Sequence, residues 1–440
     1  MVLVIAYVAA TLLSYRFLIA PWFGYAGLHF DPRSYLALIA GLVAAIAPCT
    51  WIDREAKRPS AVVYYMLYSL LYIPACIIPA CCLNYNSERY VVFIGVMVFC
   101  FWLLHWILSL EMISLTRLRL GRFSFTIFIA ALAMTMNAII VYYFGIKFSL
   151  PSFADVYHVR ADFSDMARHG PNWLAYAVPI HAKAIAPCAI VWGLISRRYS
   201  CLFVGVMSQM LIYAHTGHKT VFLSPVLLIA VYLLLRISRR HLLQLATLGL
   251  TGLIVLTAVI DVTSTGLQEV PGTTSVFVRR MMVVPGQLSG YYFDFFSENP
   301  KAKMGHSVLR GFVSYPYHAT PPRLIMLTYF GDHGGANAGL WSDGYANFGY
   351  VGMVMATVIL GVALLIFDSV SQGVDNRASV LLLLMPAMAI VNSAVTTVLL
   401  THGLVFAILL LAVFPADQVA SEASVDTDED HQIRQRRWAA

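Results

Sequence analysis

Charged residues are scarce in this 440-residue chain, where Asp, Glu, Lys and Arg together make up 12% of the sequence. A water-soluble domain carries about 25% charged residues. The scarcity excludes an ordinary soluble fold, because a chain with 60% hydrophobic residues cannot hide them all from water. A lipid bilayer removes the difficulty by acting as the solvent for the outer surfaces of helices.

Three further features are missing. No basic stripe lies on a polar domain, so the net charge of +7 does not indicate nucleic-acid binding. The seven cysteines show no disulfide or zinc spacing in a polar loop, and we expect buried free thiols. The first apolar run has neither a basic start nor a small-residue exit, so it predicts a retained first helix and not a cleaved signal peptide.

Apolar runs of bilayer-spanning length predict an all-α, polytopic transmembrane bundle of about twelve spans. The predicted spans are 2–18, 35–51, 61–81, 90–110, 123–145, 173–195, 201–214, 221–235, 242–262, 345–367, 379–398 and 404–414. The domain prediction is a bundle over 1–260 with an outer loop near 147–172, a large outer loop over 261–344, membrane helices over 345–415 and a disordered tail over 416–440.

The basic loops predict an orientation. Lys and Arg concentrate in short connections near 54–58, 117–122, 197–198 and 236–240, which is every second connection. The positive-inside rule places these loops, and with them both termini, in the cytoplasm. The other connections then face outward, and the one over 261–342 is long enough to indicate a functional segment.

The outward connections carry more cations than this rule expects. Several flank apolar segments, where an unpaired cation is costly. A ligand with several negative charges would compensate them, and a lipid-linked diphosphate is the obvious candidate, since charge-assisted bonds to phosphate are strong. Solvated loop charges or lipid head-group anchors are the alternative, which we favour for Lys301 and Lys303. The candidate diphosphate ligands are Arg160, Lys219, Arg279, Arg280 and Arg323.

Aromatic and polar side chains of the same connections are candidate glycan contacts. The aromatic run at 291–296 predicts either a stacking wall for sugar rings or an interfacial belt. His318 is a candidate general base, and Asp343 either caps a helix or orients a sugar hydroxyl. Residues 331–335 favour a glycine-rich turn over a metal cluster. The candidate glycan-binding residues are Tyr157, Tyr292, Tyr315, Asn337, Tyr345 and Asn347.

Four motifs follow one another along the chain. They are Asp-Val-Tyr-x-x-Arg at 155–160, Gly-x-Lys-Thr at 217–220, Arg-Arg with a later Tyr-x-x-Phe-Phe at 279–296, and Asn-x-Gly with a later Tyr-Ala-Asn-Phe-Gly-x-x-Gly at 337–352. In this order, and with a large outer loop, they resemble the motifs of bacterial O-antigen and oligosaccharide repeat-unit polymerases. The resemblance spans most of the chain.

The resemblance implies a GT-C-like, metal-independent glycosyltransferase that needs no cofactor. It would move a growing glycan from one undecaprenyl diphosphate carrier to the oligosaccharide repeat unit on another, at the outer leaflet of the bacterial inner membrane. Its catalytic residues would be Asp343, His318 and Arg280. Membrane lipids and a chain-length regulator protein would be its further partners.

Three other activities remain open on the sequence. An O-antigen ligase would use the same donor with a lipid A core acceptor, although its outer-loop pattern is not clear here. A flippase for lipid-linked oligosaccharides would need cations inside the bundle and short loops on both sides, which the connection over 261–342 disfavours. A membrane-bound O-acyltransferase would need an intramembrane catalytic histidine, for which His105 stands in mid-helix.

Overall fold

A computed structural model gives the fold of the protein. It describes residues 1–416 except 33, 54, 84–86, 148–149, 152–155, 157–158, 161–162, 164–169, 239–240, 267–268 and 308. Within these ranges the chain is helical and forms no strand. The all-α prediction is therefore confirmed for the described residues, while most of the predicted tail falls outside them.

Nine helices of the described ranges are long and apolar enough to cross a membrane, which supports a membrane protein. They are Val2–Ile19, Ser60–Cys82, Arg89–Ser109, Arg122–Phe144, Leu174–Ser196, Lys219–Ile237, Leu242–Ser264, Leu340–Ser371 and Val395–Val413. Shorter apolar helices cover Tyr35–Thr50 and Asn376–Ile390. The helix Tyr199–Thr216 packs between its neighbours in the bundle. The number of twelve spans stays a prediction.

Cations close one end of the bundle. Arg58 donates to the carbonyls of Leu108 and Leu110 at 2.6 and 2.8 Å. Arg119 donates to the carbonyls of Leu411 and Phe414 at 3.1 and 3.0 Å. Cations stabilise helix C-termini, where carbonyls lack partners and the helix dipole is negative. The connections near 54–58 and 117–122 therefore lie at the same end, as the alternation of basic loops predicts.

The connection over 261–344 differs from the predicted loop, because much of it is helix. Residues 272–298 form one continuous helix with a π-helical stretch at Ser275–Val283. It packs on the helix Ile73–Cys82, and an ideal Cβ on Gly286 would lie 2.5 Å from the carbonyl oxygen of Pro74. A second helix covers Pro321–Phe330. The sequence misled here because Pro285 and polar residues interrupt the apolar pattern.

The helix Leu340–Ser371 is broken at Phe348 and Gly349, whose backbone angles are not helical. The indole nitrogen of Trp341 donates to the hydroxyl of Thr357 at 3.0 Å. In a straight helix these two residues would stand about 24 Å apart. Residues 340–347, called the half-helix below, therefore fold back along residues 350–371. The predicted span at 345–367 missed this reversal.

Glycines make the reversal possible. Gly349 has φ of +65°, a conformation that side-chain-bearing residues rarely adopt. Gly344 and Gly352 touch at the crossing, where an ideal Cβ on Gly344 would lie 2.5 Å from the carbonyl oxygen of Gly352. The two helical pieces can approach this closely only because neither carries a side chain at the contact.

Candidate functional site

The start of the half-helix is tied to three other parts of the protein. The hydroxyl of Tyr292 donates to the carbonyl of Ala336 at 2.9 Å, and the amide of Ala336 donates to the carbonyl of Pro322 at 3.0 Å. Gly339, the residue before the half-helix, packs on the carbonyl of Val391. The segment 336–339 is therefore held between the helices 272–298, Pro321–Phe330 and Asn376–Ile390.

The end of the half-helix is capped by the backbone of the irregular segment after residue 298. The amides of Ala302 and Lys303 donate to the carbonyls of Ala346 and Asn347 at 2.9 and 3.0 Å. The amide of Met304 donates to Oδ1 of Asn347 at 2.9 Å. These bonds satisfy carbonyls that a helix end leaves without partners. Asn347 is 3% exposed and occupied by these bonds, so the structure places it as a cap and not as a glycan contact.

Lys301 completes this cap. Its ammonium lies 3.8 Å from the ring centroid of Tyr345 and donates to the carbonyl of Phe296. Desolvation lowers the pKa of Lys301 from 10.5 to about 8. The expectation of a solvated loop charge is wrong for Lys301, because the aromatic ring and the half-helix enclose its side chain.

The lowered pKa of Lys301 predicts a pH dependence of stability. The unfolded chain holds the lysine proton more tightly than the folded protein, so the free energy of unfolding should rise as the pH increases through about 8 and level off near the unfolded pKa. We expect the melting temperature of the wild type, relative to Lys301→Met, to be higher at about pH 9.5 than at about pH 7. A difference that does not change with pH would contradict the enclosed position.

Three polar side chains surround the start of the half-helix. Asp343 is partly exposed, and Asn337 and Arg323 are exposed. Burial, and after it the negative charge of Asp343, raises the pKa of the Tyr292 hydroxyl. A carboxylate, an amide and a guanidinium open to solvent can together orient hydroxyl groups and an anion.

The other predicted aromatic contacts are buried. Tyr292 is 1% exposed, and Phe293 and Phe296 are equally enclosed, so the run at 291–296 is core and not a wall for sugar rings. Tyr345 is also buried, because it packs between Phe93 and Phe293. These positions correct the glycan-contact predictions for Tyr292 and Tyr345.

The remaining candidates of this kind lie elsewhere. Tyr315 is half-buried, and its hydroxyl donates to the carbonyl of Ala319 at 2.6 Å. His318 is exposed on the irregular segment that follows it. Tyr157 lies outside the described residues. Asp332 and His333 are exposed in the predicted turn, where His333 donates its amide to Asp332.

Arg160 lies against the hairpin at 217–219. Nη2 of Arg160 donates to the carbonyl of Gly217 at 3.2 Å, and Gly217 packs on the backbone of Val156. Lys219 begins the next helix. His218 is exposed, yet surrounding protein desolvates it and, with Arg160 and Lys183 nearby, lowers its pKa to about 4. His218 is therefore neutral at neutral pH, and Arg160 and Lys219 are the cations of this hairpin.

A chain of three polar side chains next to this hairpin was missed by the sequence analysis. Nζ of Lys183 lies 2.6 Å from Nδ1 of His402, whose Nε2 lies 2.9 Å from the hydroxyl of Ser393. Lys183 stands in the π-helical stretch His181–Ile185, a type of distortion frequent at functional sites. A lysine in the middle of an apolar span was the available signal, since such a residue is costly in a membrane.

Arg279 and Arg280 lie away from these cations. Nε of Arg279 donates to the hydroxyl of Ser275 at 2.9 Å, and its guanidinium lies 4.1 Å from the ring centroid of Phe23. Arg280 is exposed. Arg279 and Tyr292 are thirteen positions apart in this helix, about 20 Å along its axis. This helix packs beside Leu242–Thr265, whereas the two helices that flank the hairpin, Tyr199–Thr216 and Lys219–Ile237, pack on Ala186–Ser196. Arg160 and Lys219 therefore form one group and Arg279 and Arg280 another, while Arg323 stands beside the half-helix.

Two cavities of about 310 and 220 Å³ lie at the end of the bundle that carries the basic connections. Asp53, Tyr65 and Leu243 line both. Neither is lined by a residue that the sequence analysis proposed for the site. His105, the histidine considered for acyl transfer, lines the smaller one and has its ring 5.9 Å from that of Tyr64.

No family model matches the chain, and neither a curated protein nor a solved structure matches it.

Proposed function

We propose that the protein is a metal-independent glycosyltransferase that polymerises undecaprenyl-diphosphate-linked oligosaccharide repeat units. Its fold would be a GT-C-like bundle of about twelve spans. The observation that carries the proposal is the half-helix, which presents the partly exposed carboxylate of Asp343 and has separate cationic groups in the helices around it.

The two cationic groups suit a reaction with two lipid-linked substrates. Arg160 and Lys219 form one group, and Arg279 and Arg280 form the other. Donor and acceptor both carry a diphosphate, and each diphosphate needs cations near the membrane surface. Two groups on different helices can hold two carriers at once, with the sugars meeting near Asp343.

These positions support the following reaction. A hydroxyl of the acceptor sugar attacks the anomeric carbon of the donor, and the bond from that carbon to the donor diphosphate breaks. Asp343 takes the hydroxyl proton as general base, and the electron pair leaves with the diphosphate. Asn337 and Arg323, both exposed beside the half-helix, would orient the sugars. His318 remains the second candidate base, on the more exposed segment.

The proposal includes a location. The basic connections at one end of the bundle would face the cytoplasm, together with both termini, and the half-helix would face the periplasm of the bacterial inner membrane. A chain-length regulator protein would act from the same outer side.

A flippase for lipid-linked oligosaccharides is a second candidate, and one observation favours it. Lys183 lies within the span Leu174–Ser196 and His402 in the turn that interrupts Val395–Val413, a depth at which a transporter would bind an anionic head group.

Deletion of the gene in its host distinguishes these activities. A polymerase predicts surface polysaccharide with single repeat units on lipid A core and no long chains on a gel. Long chains left on the lipid carrier would indicate a ligase instead. Absence of both products would indicate a flippase.

Arg280→Lys is expected to abolish long-chain polysaccharide, because lysine keeps the charge but lacks the bidentate fork that grips a diphosphate. The measurements are the chain-length distribution on a gel and the amount of protein in the membrane. Arg310→Lys, at an exposed arginine of the irregular segment, is the matched control and should leave the chains unchanged. Normal long chains from Arg280→Lys would contradict its role in binding the diphosphate.

A further inference from the structure

The hydrogen bonds of Lys183, His402 and Ser393 have a fixed direction when the lysine is charged. An ammonium group only donates, so Nδ1 of His402 must accept from Lys183. The proton of the neutral imidazole then lies on Nε2 and is donated to the hydroxyl oxygen of Ser393. The hydroxyl hydrogen of Ser393 is then free to point away from His402. The three residues together therefore present a hydrogen-bond donor with a positive charge behind it.

The surroundings keep this arrangement in place. Gly403, with φ of +80°, packs on Ala184 and so seats His402 beside Lys183. Among the described residues, no carboxylate forms an ion pair with Lys183. A cation within a membrane span without a carboxylate partner is costly unless a ligand supplies the negative charge.

Ser393, the last of the three hydrogen-bonded side chains, lies near the candidate site. Ser393 is partly exposed and follows Val391 by two residues, and the carbonyl of Val391 packs on Gly339 at the start of the half-helix. The stretch His181–Ile185, which holds Lys183, packs on the helix Tyr199–Thr216. That helix ends at Gly217, whose carbonyl accepts from Arg160, so the three side chains also border the group of Arg160 and Lys219. Ser393 therefore stands between the half-helix and one of the two cationic groups.

We propose that Ser393, His402 and Lys183 form a binding site for an anionic phosphate oxygen, and that this site receives the leaving diphosphate of the donor. The inference rests on the proposed glycosyl transfer and adds that the donor carrier lies on the side of Arg160 and Lys219. Arg279 and Arg280 are then left for the acceptor carrier.

The chemistry of the step explains the construction. When the bond from the anomeric carbon to the diphosphate breaks, its electron pair becomes negative charge on the leaving oxygen. Ser393 donates its hydrogen bond to that oxygen, and the charge of Lys183 supports the donation through His402. No proton has to be transferred along the chain. Donors that are already oriented toward developing charge are the most effective kind of stabilisation.

Binding to the purified full chain in nanodiscs tests the site, with undecaprenyl diphosphate and inorganic pyrophosphate as separate probes. Lys183→Met is expected to weaken the binding of undecaprenyl diphosphate at least about tenfold, as is usual for losing a charge-assisted bond. An equal loss for pyrophosphate means that the phosphates alone are recognised. A loss for the lipid-linked probe only means that the carrier is needed, and both results support the site. Unchanged affinity for both probes would overturn it.

Ser393→Ala provides a milder variant in case Lys183→Met does not fold. It should lower the turnover of the glycosyl transfer about tenfold with little change in KM, since charge develops only in the transition state. Ser224→Ala is the matched control, because the hydroxyl of Ser224 donates to the carbonyl of Val221 within its own helix. Ser224→Ala should keep the wild-type turnover. If Ser393→Ala keeps it as well, or if both variants lose turnover equally, the role of Ser393 is overturned.

Nitrogen NMR of His402 provides a readout that does not need activity. The hydrogen bonds from Lys183 to His402 and from His402 to Ser393 predict a neutral imidazole with its proton on Nε2. The opposite tautomer would overturn this direction of the hydrogen bonds. Phosphate binding and glycosyl transfer can also fail independently. If the probes bind in the predicted way but purified protein forms no glycan, the phosphate site stands and the proposed glycosyltransferase activity fails.

Discussion

Gly352→Ala is expected to reduce polymerisation about a hundredfold while the protein still inserts into the membrane. An added Cβ on Gly352 would overlap the backbone of Gly344 and would come within 3.0 Å of the Phe348 side chain. The half-helix would have to move away from residues 350–371, and Asp343 would move with it. Displacements of about 1 Å are enough to cost a reaction this much. Polymer yield per amount of membrane-inserted protein is the measurement.

Gly252→Ala is the matched control for this substitution. Gly252 also lies within a membrane-spanning helix, but nothing stands within 4 Å of its added Cβ. Alanine is the better helix former there, so stability should hold or rise slightly. Full activity of Gly352→Ala would contradict the close crossing of the two helical pieces.

Asp343→Asn is expected to lower turnover by about a hundredfold or more, because a general base usually contributes that much. The asparagine side chain has nearly the same shape as aspartate. In the wild type, Nδ2 of Asn347 donates to the backbone carbonyl of residue 343 at 2.9 Å, and the substitution keeps that carbonyl. The melting temperature should therefore change little. Initial rates of glycan extension, measured together with the melting temperature, separate a chemical loss from a folding loss.

Asp332→Asn serves as the control for the loss of a carboxylate near the site. Asp332 is exposed in the turn before the half-helix and is not placed in the proposed chemistry. Its variant should keep the wild-type rate. If Asp343→Asn also keeps the rate, Asp343 is not the base and His318 becomes the candidate to test.

Much of the helical architecture could be predicted from the sequence. An uninterrupted apolar run in lipid, such as Arg122–Phe144, must form a helix, because each backbone group has to find its hydrogen-bond partner within the segment. Two of the four basic connections lie at the same end of the bundle, as the alternation predicts, because Arg58 and Arg119 cap helix ends on the same side. Length and charge act locally, and local rules are readable without knowing the packing.

The fold-back of the half-helix could not be predicted from apolar periodicity. The run from Tyr345 onward is apolar enough to suggest one straight span. What decides the reversal is the contact between Gly344 and Gly352 and the positive φ of Gly349. Three glycines at the start of an apolar run were the visible signal, although glycine spacing alone does not reveal which backbone they allow to approach.

The roles of individual residues depended on packing even more. Asn347 looked like a sugar contact and is a helix cap, and Tyr292 looked like a stacking surface and is buried core. Lys183 was not predicted because it stands inside an apolar span, and its partner His402 comes from a distant part of the chain. Contacts between residues that are far apart in sequence are what the sequence alone does not display.

The most direct test of the account is glycan extension by the purified protein in nanodiscs, given undecaprenyl-diphosphate-linked repeat units and a metal chelator. The account predicts products that grow by whole repeat units, with release of undecaprenyl diphosphate and with loss of both in Asp343→Asn. Two results would contradict the proposed polymerase. One is absence of extension by correctly folded wild-type protein, and the other is transport of the intact substrate across the bilayer without any new glycosidic bond.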